Sequence, residues 1–401
     1  MKKKVLIVCH SYPPNPGVGG RRWAIFSKYL MDLGVEVHVL TKQPHPKSSS
    51  PWIEYVKSAK IHYYKNKYPS ILENIPKTAA HKVCYRVVLF ALKLLSISNY
   101  YDRGVLSRKI IFNKIKFILE HEKINNLIIS GAPFSFLYYG AMIKQQKDYI
   151  NYISDIRDPW IDSNYFGFSN LSKARKKEEL FRINMVLNFS DITIVPITEM
   201  KGNYQRINKN STIDIFPHAV DDELILPRST HEVSKKQWLN LVNFGTHYTK
   251  LYEIMEAINK SINGTRLQVS FYTTDYQYQN IFKQNPNVIY HKTVSQGRVF
   301  KILSETDAAL FFVNEDIKDF ISTKYIEAIA SRTPIVLVGE EGKVSEFIEA
   351  NNLGVFICAS KILNEFGSLR NHLKNLKYNE RFDYSELTFK NQTKKLLTYL
   401  K

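Results

Sequence analysis

Between residues 322 and 339 a short helical pattern runs straight into a short apolar strand, and this junction most constrains what the chain can fold into. Ser322 or Thr323 stands where an N-cap belongs, because a short side-chain oxygen can accept from the first-turn N–H groups. Ile326, Ile329 and Ala330 then fall on one stripe, and Lys324, Glu327 and Ser331 share another face. Arg332-Thr333-Pro334 stops the helix, and Ile335, Val336, Leu337 and Val338 form an uninterrupted apolar run ending at Gly339. A strand apolar on both faces belongs in a parallel sheet covered by helices on both sides. The helix start is a natural seat for an anion. A lysine there, with a carboxylate one turn on, suits diphosphate contacts followed by a ribose clamp. The same i,i+3 spacing also describes a solvated surface salt bridge.

The rest of the chain repeats this alternation. Residues 5–9 read as a buried strand, 10–20 as a loop rich in Pro and Gly, and 22–33 as a helix that Gly34 caps. Residues 35–40 then alternate as a second strand, which makes a Rossmann-like opening. Gly17, Gly19 and Gly20 let the backbone pass close to a ligand without Cβ atoms. They are not the dinucleotide fingerprint, because Thr41 and Lys42 stand where an acidic residue is needed. Strands are expected at 126–130, 149–154, 192–195 and 212–216, with the fourth of this domain's sheet delivering Asp155-Ile-Arg-Asp-Pro-Trp160 at its end. Ligand groups collect at the carboxyl ends of such strands, so this hexapeptide is a site candidate. Its structural alternative is that Arg157 pairs with an aspartate and Trp160 packs. A polar stretch at 220–236 reads as a linker. The strand–helix alternation resumes at 238 with Gly245-Thr246 after its first strand, and 384–400 is a last amphipathic stretch.

At 401 residues two domains are expected. Three scattered cysteines, Cys9, Cys84 and Cys358, match no zinc or redox spacing and fit a reducing cytoplasm. Nowhere do enough consecutive apolar residues occur to span a bilayer. The net charge of +19 speaks to partners and not to fold. It concentrates between residues 57 and 123, where fourteen Lys or Arg stand against four Asp or Glu. Within that region 79–97 reads as a helix with Val83, Val87, Phe90, Leu94 and Ile97 on one side and Lys82, Arg86 and Lys93 on another. Such a helix can lie in an anionic membrane interface, or be a core helix with snorkelling lysines. Nucleic acid is not an expected partner, since no recognition motif accompanies the dispersed lysines.

The segment Lys324-x-x-Glu327-Ala328-x-Ala330-x-x-x-Pro334-Ile335-Val336 resembles the donor-binding signature of retaining GT-B glycosyltransferases of the large family four. Residues 346–355, the opening Tyr12 to Thr41 and the hexapeptide 155–160 are similar to other motifs of one branch of that family, which is of the bacterial surface-polysaccharide type. The resemblance implies an α/β GT-B fold, with two Rossmann-like domains facing each other across a cleft. The first domain (1–220) would serve the acceptor. A linker (221–236), a nucleotide-sugar-binding domain (237–383) and a C-terminal helix (384–401) packing back on the first domain would follow. It implies a metal-independent hexosyltransferase-type enzyme without cofactor, using a nucleotide-diphosphate sugar and a saccharide or lipid-linked saccharide acceptor at the inner face of the membrane. Glu327 would bind ribose, and Lys324 the diphosphate, with Gly245, Thr246 and Arg298. Gly19, Gly20 and Arg22 would line donor space from the other domain, and Asp158, or second to it Asp155, would act on the acceptor hydroxyl.

Departures from the family pattern fall in the phosphate-binding region and at the domain end. Only Lys250 follows the Gly245 loop where an arginine and a lysine are expected, Asp319 replaces a glutamate, and Phe216-Pro-His-Ala-Val-Asp-Asp222 replaces an Asn-Gly turn. A GT-B sugar-nucleotide epimerase and a non-catalytic partner subunit are therefore the alternative readings.

Overall fold

A computed structural model describes all residues except 1, 16–17, 47, 51, 74–75, 77, 162–165, 227–236 and 246–250. The chain forms two compact units, one of residues 1–217 with 389–401 and one of 218–388. The first unit runs β1 (Lys4–Val8), α1 (Val18–Asp32), β2 (Glu36–Lys42), β3 (Lys60–Tyr64), α2 (Ala79–Leu95), α3 (Arg108–His121), β4 (Asn126–Gly131), α4 (Phe134–Gln146), β5 (Asn151–Ile156), α5 (Lys173–Phe189), β6 (Ile192–Val195), α6 (Thr198–Ile207) and β7 (Ile213–Ile215). Its sheet is parallel in the order β3-β2-β1-β4-β5-β6-β7. Gly34, at φ 82°, lets the chain turn out of α1 into β2.

The second unit runs β8 (Leu239–Phe244), α7 (Tyr252–Ile262), β9 (Leu267–Tyr272), β10 (Val288–His291), α8 (Gln296–Glu305), β11 (Ala308–Val313), α9 (Thr323–Ala330), β12 (Ile335–Gly339), α10 (Lys343–Ala350), β13 (Gly354–Cys358), α11 (Ile362–Glu365) and α12 (Leu369–Asn375). Its parallel order is β10-β9-β8-β11-β12-β13. Successive residues of these strands feed two different cores. Leu310, Phe312, Val336 and Val338 join the cluster under α7, while Ala309, Phe311, Ile335 and Leu337 join the one under α9. Burial on both faces is the physical reason these strands read as unbroken apolar runs. In each sheet the strand order reverses beside the unit's first strand, and open α/β sheets gather ligands at the carboxyl ends of such a switch point.

α13 (Phe389–Thr398) is part of the first unit. Phe389 meets Phe26 of α1 edge-on at 5.1 Å, and the Lys401 carbonyl accepts from Asn126 at 3.0 Å. Residues 218–226 belong to the second unit, where the Val220 amide donates to the Leu387 carbonyl at 2.9 Å.

Two features depart from the sequence expectations. β3 is a strand at the sheet's edge, hidden in sequence because Lys60 and His62 interrupt its apolar pattern. In α2 the inner face is Tyr85, Val88, Leu89 and Leu92, packed on Tyr68, Leu72, Tyr100 and Leu171. The stripe Val83, Val87, Phe90 and Leu94 therefore points to solvent, which removes the core-helix reading for those residues. No helix among the described residues is long and apolar enough to cross a membrane.

Candidate functional site

In the second unit the switch-point strands end at Phe244, just before Gly245, and at Val313, and Lys324 in the first turn of α9 lies against Gly245. Gly245 turns at φ 89° as its amide donates to the Tyr272 carbonyl at 2.9 Å. A Cβ at Gly245 would lie 2.8 Å from Lys324 Nζ, so the bare backbone is what lets the ammonium lie against this turn. Ser322 holds the N-cap position with extended backbone (φ −82°, ψ 163°), yet its side chain makes no capping hydrogen bond. The capping expected of its hydroxyl is thus not made. The lysine is half-buried, and burial pulls its pKa down, only partly opposed by the charge of Glu327.

Glu327 is 8% exposed, and its Oε1 accepts from Gln296 Nε2 at 3.2 Å. Gln296 opens α8, two residues before Arg298, the expected diphosphate contact. Arg298 is exposed on that helix. A glutamine orienting a carboxylate from another helix has no local signature, so only the helix packing reveals it. Asp319, standing where the family has a glutamate, accepts from the Lys343 amide at 3.0 Å and so serves the start of α10. Thr246 and Lys250 lie outside the described residues.

In the first unit the hexapeptide follows β5, and its two aspartates have different surroundings. Asp155 is fully buried. Its Oδ2 accepts from Trp23 Nε1 at 2.7 Å and Ser130 Oγ at 2.8 Å, with Arg22 Nε at 3.8 Å. Asp155, expected second to Asp158 as the acceptor-side group, is enclosed by α1, β4 and β5 and ties them together through these bonds. Arg22, expected to line donor space, is buried and donates to the Phe216 and Pro217 carbonyls through Nη2 and Nη1, each at 3.1 Å.

Arg157 donates to Asp158 Oδ2 through Nε at 3.0 Å and Nη2 at 2.6 Å, and to the Gly19 carbonyl through Nη1 at 3.0 Å. Asp158 keeps 30% of its side chain exposed. Gly19, Arg157 and Asp158, distant in sequence, thus meet at one edge of the sheet. Gly19 and Gly20 lie in the first turn of α1, neither at positive φ. A Cβ on Gly19 would lie 2.7 Å from Arg157 Nη1, and one on Gly20 would lie 1.7 Å from the Ser11 carbonyl oxygen. Close approach to their own unit, not left-handed backbone, is what requires glycine there.

A cavity of about 500 Å³ opens at the carboxyl ends of β1 and β4. Its lining includes His10, Tyr85, Tyr101, Asp102, Phe134 and Arg157. His10 lies just after the first strand, with no local motif that marks it as functional. Its Nδ1 lies 2.7 Å from the Tyr64 hydroxyl, and burial, aided by the charges of Lys42 and Arg103, pushes its pKa down to about 3. The imidazole is accordingly neutral near pH 7. Burial raises the pKa of Asp102, opposed by hydrogen bonds from the Ser135 hydroxyl and amide and the Gly104 amide. Rings, a neutral imidazole, a carboxylate and a guanidinium in one cavity suit a polyhydroxylated ligand, which offers both C–H faces and hydroxyls.

Glu36, His38 and Glu122 lie close enough together, among the described residues, to be weighed as metal ligands. Lys60 Nζ sits 2.7 Å from Glu36 Oε1 and already supplies the positive charge. The trio also lies by the amino ends of β1 and β2, opposite the switch-point edge.

No protein-family model matches the chain, and no curated protein matches it in sequence. Solved structures do. Sucrose-phosphate synthase from Thermosynechococcus elongatus is similar over 99% of this chain and 98% of its own, at a TM-score of 0.59 and 12% identity. Anabaena HepE, in complex with UDP and glucose, is similar over 99% and 100%, at 0.59 and 11%. A Listeria monocytogenes protein described as a UDP-N-acetylglucosamine 2-epimerase is similar over 99% and 95%, at 0.60 and 13%. The chain has the GT-B fold.

Proposed function

We propose that this protein is a retaining glycosyltransferase that moves a sugar from a nucleotide-diphosphate sugar to a hydroxyl of a saccharide or lipid-linked saccharide, in the cytoplasmic assembly of a bacterial surface polysaccharide. The observation that carries this reading is the half-buried Lys324 lying against Gly245 at the start of α9, with the carboxylate of Glu327 one turn on. A helix start without a side-chain cap, plus an ammonium, can neutralise a departing diphosphate. Glu327, already oriented by Gln296, can accept from two ribose hydroxyls. That Anabaena HepE was crystallised with UDP and glucose supports the same donor class.

In the transfer, the bond from the anomeric carbon to the diphosphate breaks, and one to the acceptor oxygen forms on the same face. The acceptor proton ends on the leaving phosphate oxygen. Positioning and electrostatic stabilisation make up the protein's share. The cavity at the ends of β1 and β4 would take the acceptor. Asp158, whose Oδ2 is held by Arg157, is the preferred residue for orienting its hydroxyl. No metal is needed where Lys324 and the helix dipole carry the charge, so EDTA should leave donor binding unchanged.

A thermal-shift screen of nucleotide sugars against wild type and Glu327→Gln tests the donor assignment. One nucleotide sugar should stabilise the wild type far more than the variant, and equal shifts in both would overturn it. The likeness to the Listeria protein favours a second reading, sugar-nucleotide epimerisation. It predicts a new sugar-nucleotide isomer without any acceptor, where transfer predicts nucleotide release that depends on acceptor. Donor binding with neither product would mark a non-catalytic partner subunit.

A further inference from the structure

α2 has two apolar faces, and only one is used by the fold. Tyr85, Val88, Leu89 and Leu92 close the cluster beneath it. On the opposite side Val83, Val87, Phe90 and Leu94 form a single stripe, 61%, 62%, 62% and 71% exposed, and Leu95 and Ile97 extend it at 76% and 74%. Monomeric proteins rarely leave a contiguous apolar patch of this kind open to water. Along one flank of the stripe lie Lys82, Arg86 and Lys93, all exposed, and the helix contains no acidic residue.

We propose that this outer face docks on an anionic bilayer surface, the apolar stripe entering the headgroup–acyl boundary and the three cations meeting lipid phosphates. Charge complementarity selects this occupant: an apolar stripe edged on one side by cations, with no acid on the helix, matches the layering of an anionic lipid interface. A second copy of the chain would instead bring the same uncompensated cations against one another. The helix is firmly seated for such a role, since Arg175 donates to the Ser98 carbonyl at 2.6 Å and to the Lys93 carbonyl at 2.5 Å, just beyond and within its last turn. Tyr85, on its inner side, lines the cavity. A docked α2 therefore holds that cavity beside the lipid headgroups. Given the glycosyl-transfer reading, and resting on it, this singles out a lipid-linked saccharide as the acceptor.

Cys84, exposed beside Val83, offers a reporter, because Cys9 is buried and Cys358→Ser leaves Cys84 as the accessible thiol. With an environment-sensitive fluorophore on Cys84, phosphatidylcholine vesicles containing phosphatidylglycerol should blue-shift the emission, and brominated acyl chains should quench it. Pure phosphatidylcholine should do neither. Flotation should show Phe90→Ser/Leu94→Ser lowering partitioning by roughly tenfold or more. Replacing Lys82, Arg86 and Lys93 with Gln should cost about fivefold per charge and remove the salt dependence. Unchanged melting temperatures would show that both variants fold. Three results would overturn the proposal: no flotation at low salt, flotation indifferent to the Phe90/Leu94 change, or a wild-type dimer that this change turns monomeric. None of these readouts needs donor binding, so their failure is separable from failure of the transfer assignment.

Discussion

The two units each bring a carboxylate to the region where an apolar strand and a neighbouring helix meet, and treat it in opposite ways. In the first unit Asp155 accepts from Trp23 and Ser130 through Oδ2 and ties the elements around it together. In the second, Glu327 is steadied by Gln296 while Lys324, a turn earlier, is held in partial burial at a cost to its own charge. One charge is enclosed and held by side chains of its own unit. The other is kept in a setting that a bound anion would relieve. The two carboxylates thus differ in their hydrogen-bond partners: donors from α1 and β4 hold Asp155, and a side-chain amide from α8 holds Glu327 Oε1.

The largest expected effect sharpens this contrast. Asp155→Ala leaves two buried donors without their acceptor and should cost about 3 kcal/mol of stability. Chemical denaturation should show it, with donor affinity of the folded fraction intact. Wild-type stability in that variant would show that the buried carboxylate is dispensable.

Lys324→Met should behave in reverse. Removing a charge that burial disfavours should leave stability equal or raised, whereas loss of one charge-assisted phosphate contact should weaken donor binding by about tenfold or more. Calorimetric titration together with thermal melting checks both halves. A variant that melts low and binds normally would break the comparison.

A pH titration probes His10. Its folded-state pKa, about 3, lies below the unfolded value. Between about pH 6.5 and that value the unfolded chain binds a proton that the folded protein refuses, so stability should fall as pH falls through this window. His10→Gln should flatten the slope, as measured by urea denaturation at a series of pH values.

Glu36 should give the smallest effect. Hydrogen bonds from Lys60 and His38 hold its pKa down at about 2, so its contribution is present above the usual carboxylate range and lost as pH falls toward that value. Because the carboxylate is partly solvated, Glu36→Gln should shift the melting temperature only slightly at pH 7 and not at all in strong acid.

Local patterning was enough to read the α/β alternation, the parallel strands and the helix–strand junction at 322–339. Strand and helix periods are properties of neighbouring residues, and burial on both faces forces a run such as Ile335 to Val338 to be apolar throughout. Lys324, Glu327 and Gly245 were legible as candidates because their motif is local or close to a strand end. The fates of Asp155 and Arg22 were not. They depend on Trp23 reaching Asp155 across 132 residues, and on Arg22 reaching the carbonyls of Phe216 and Pro217 at the far end of the unit. Gln296 has no local signature for the same reason, since it meets Glu327 only through the packing of α8 on α9. In α2 two apolar stripes were present in the sequence, and only the packing of Tyr68, Leu72, Tyr100 and Leu171 against one of them decided which stripe faces the solvent. Periodicity specifies that a helix has faces. Which face is buried depends on residues brought to it from elsewhere in the chain.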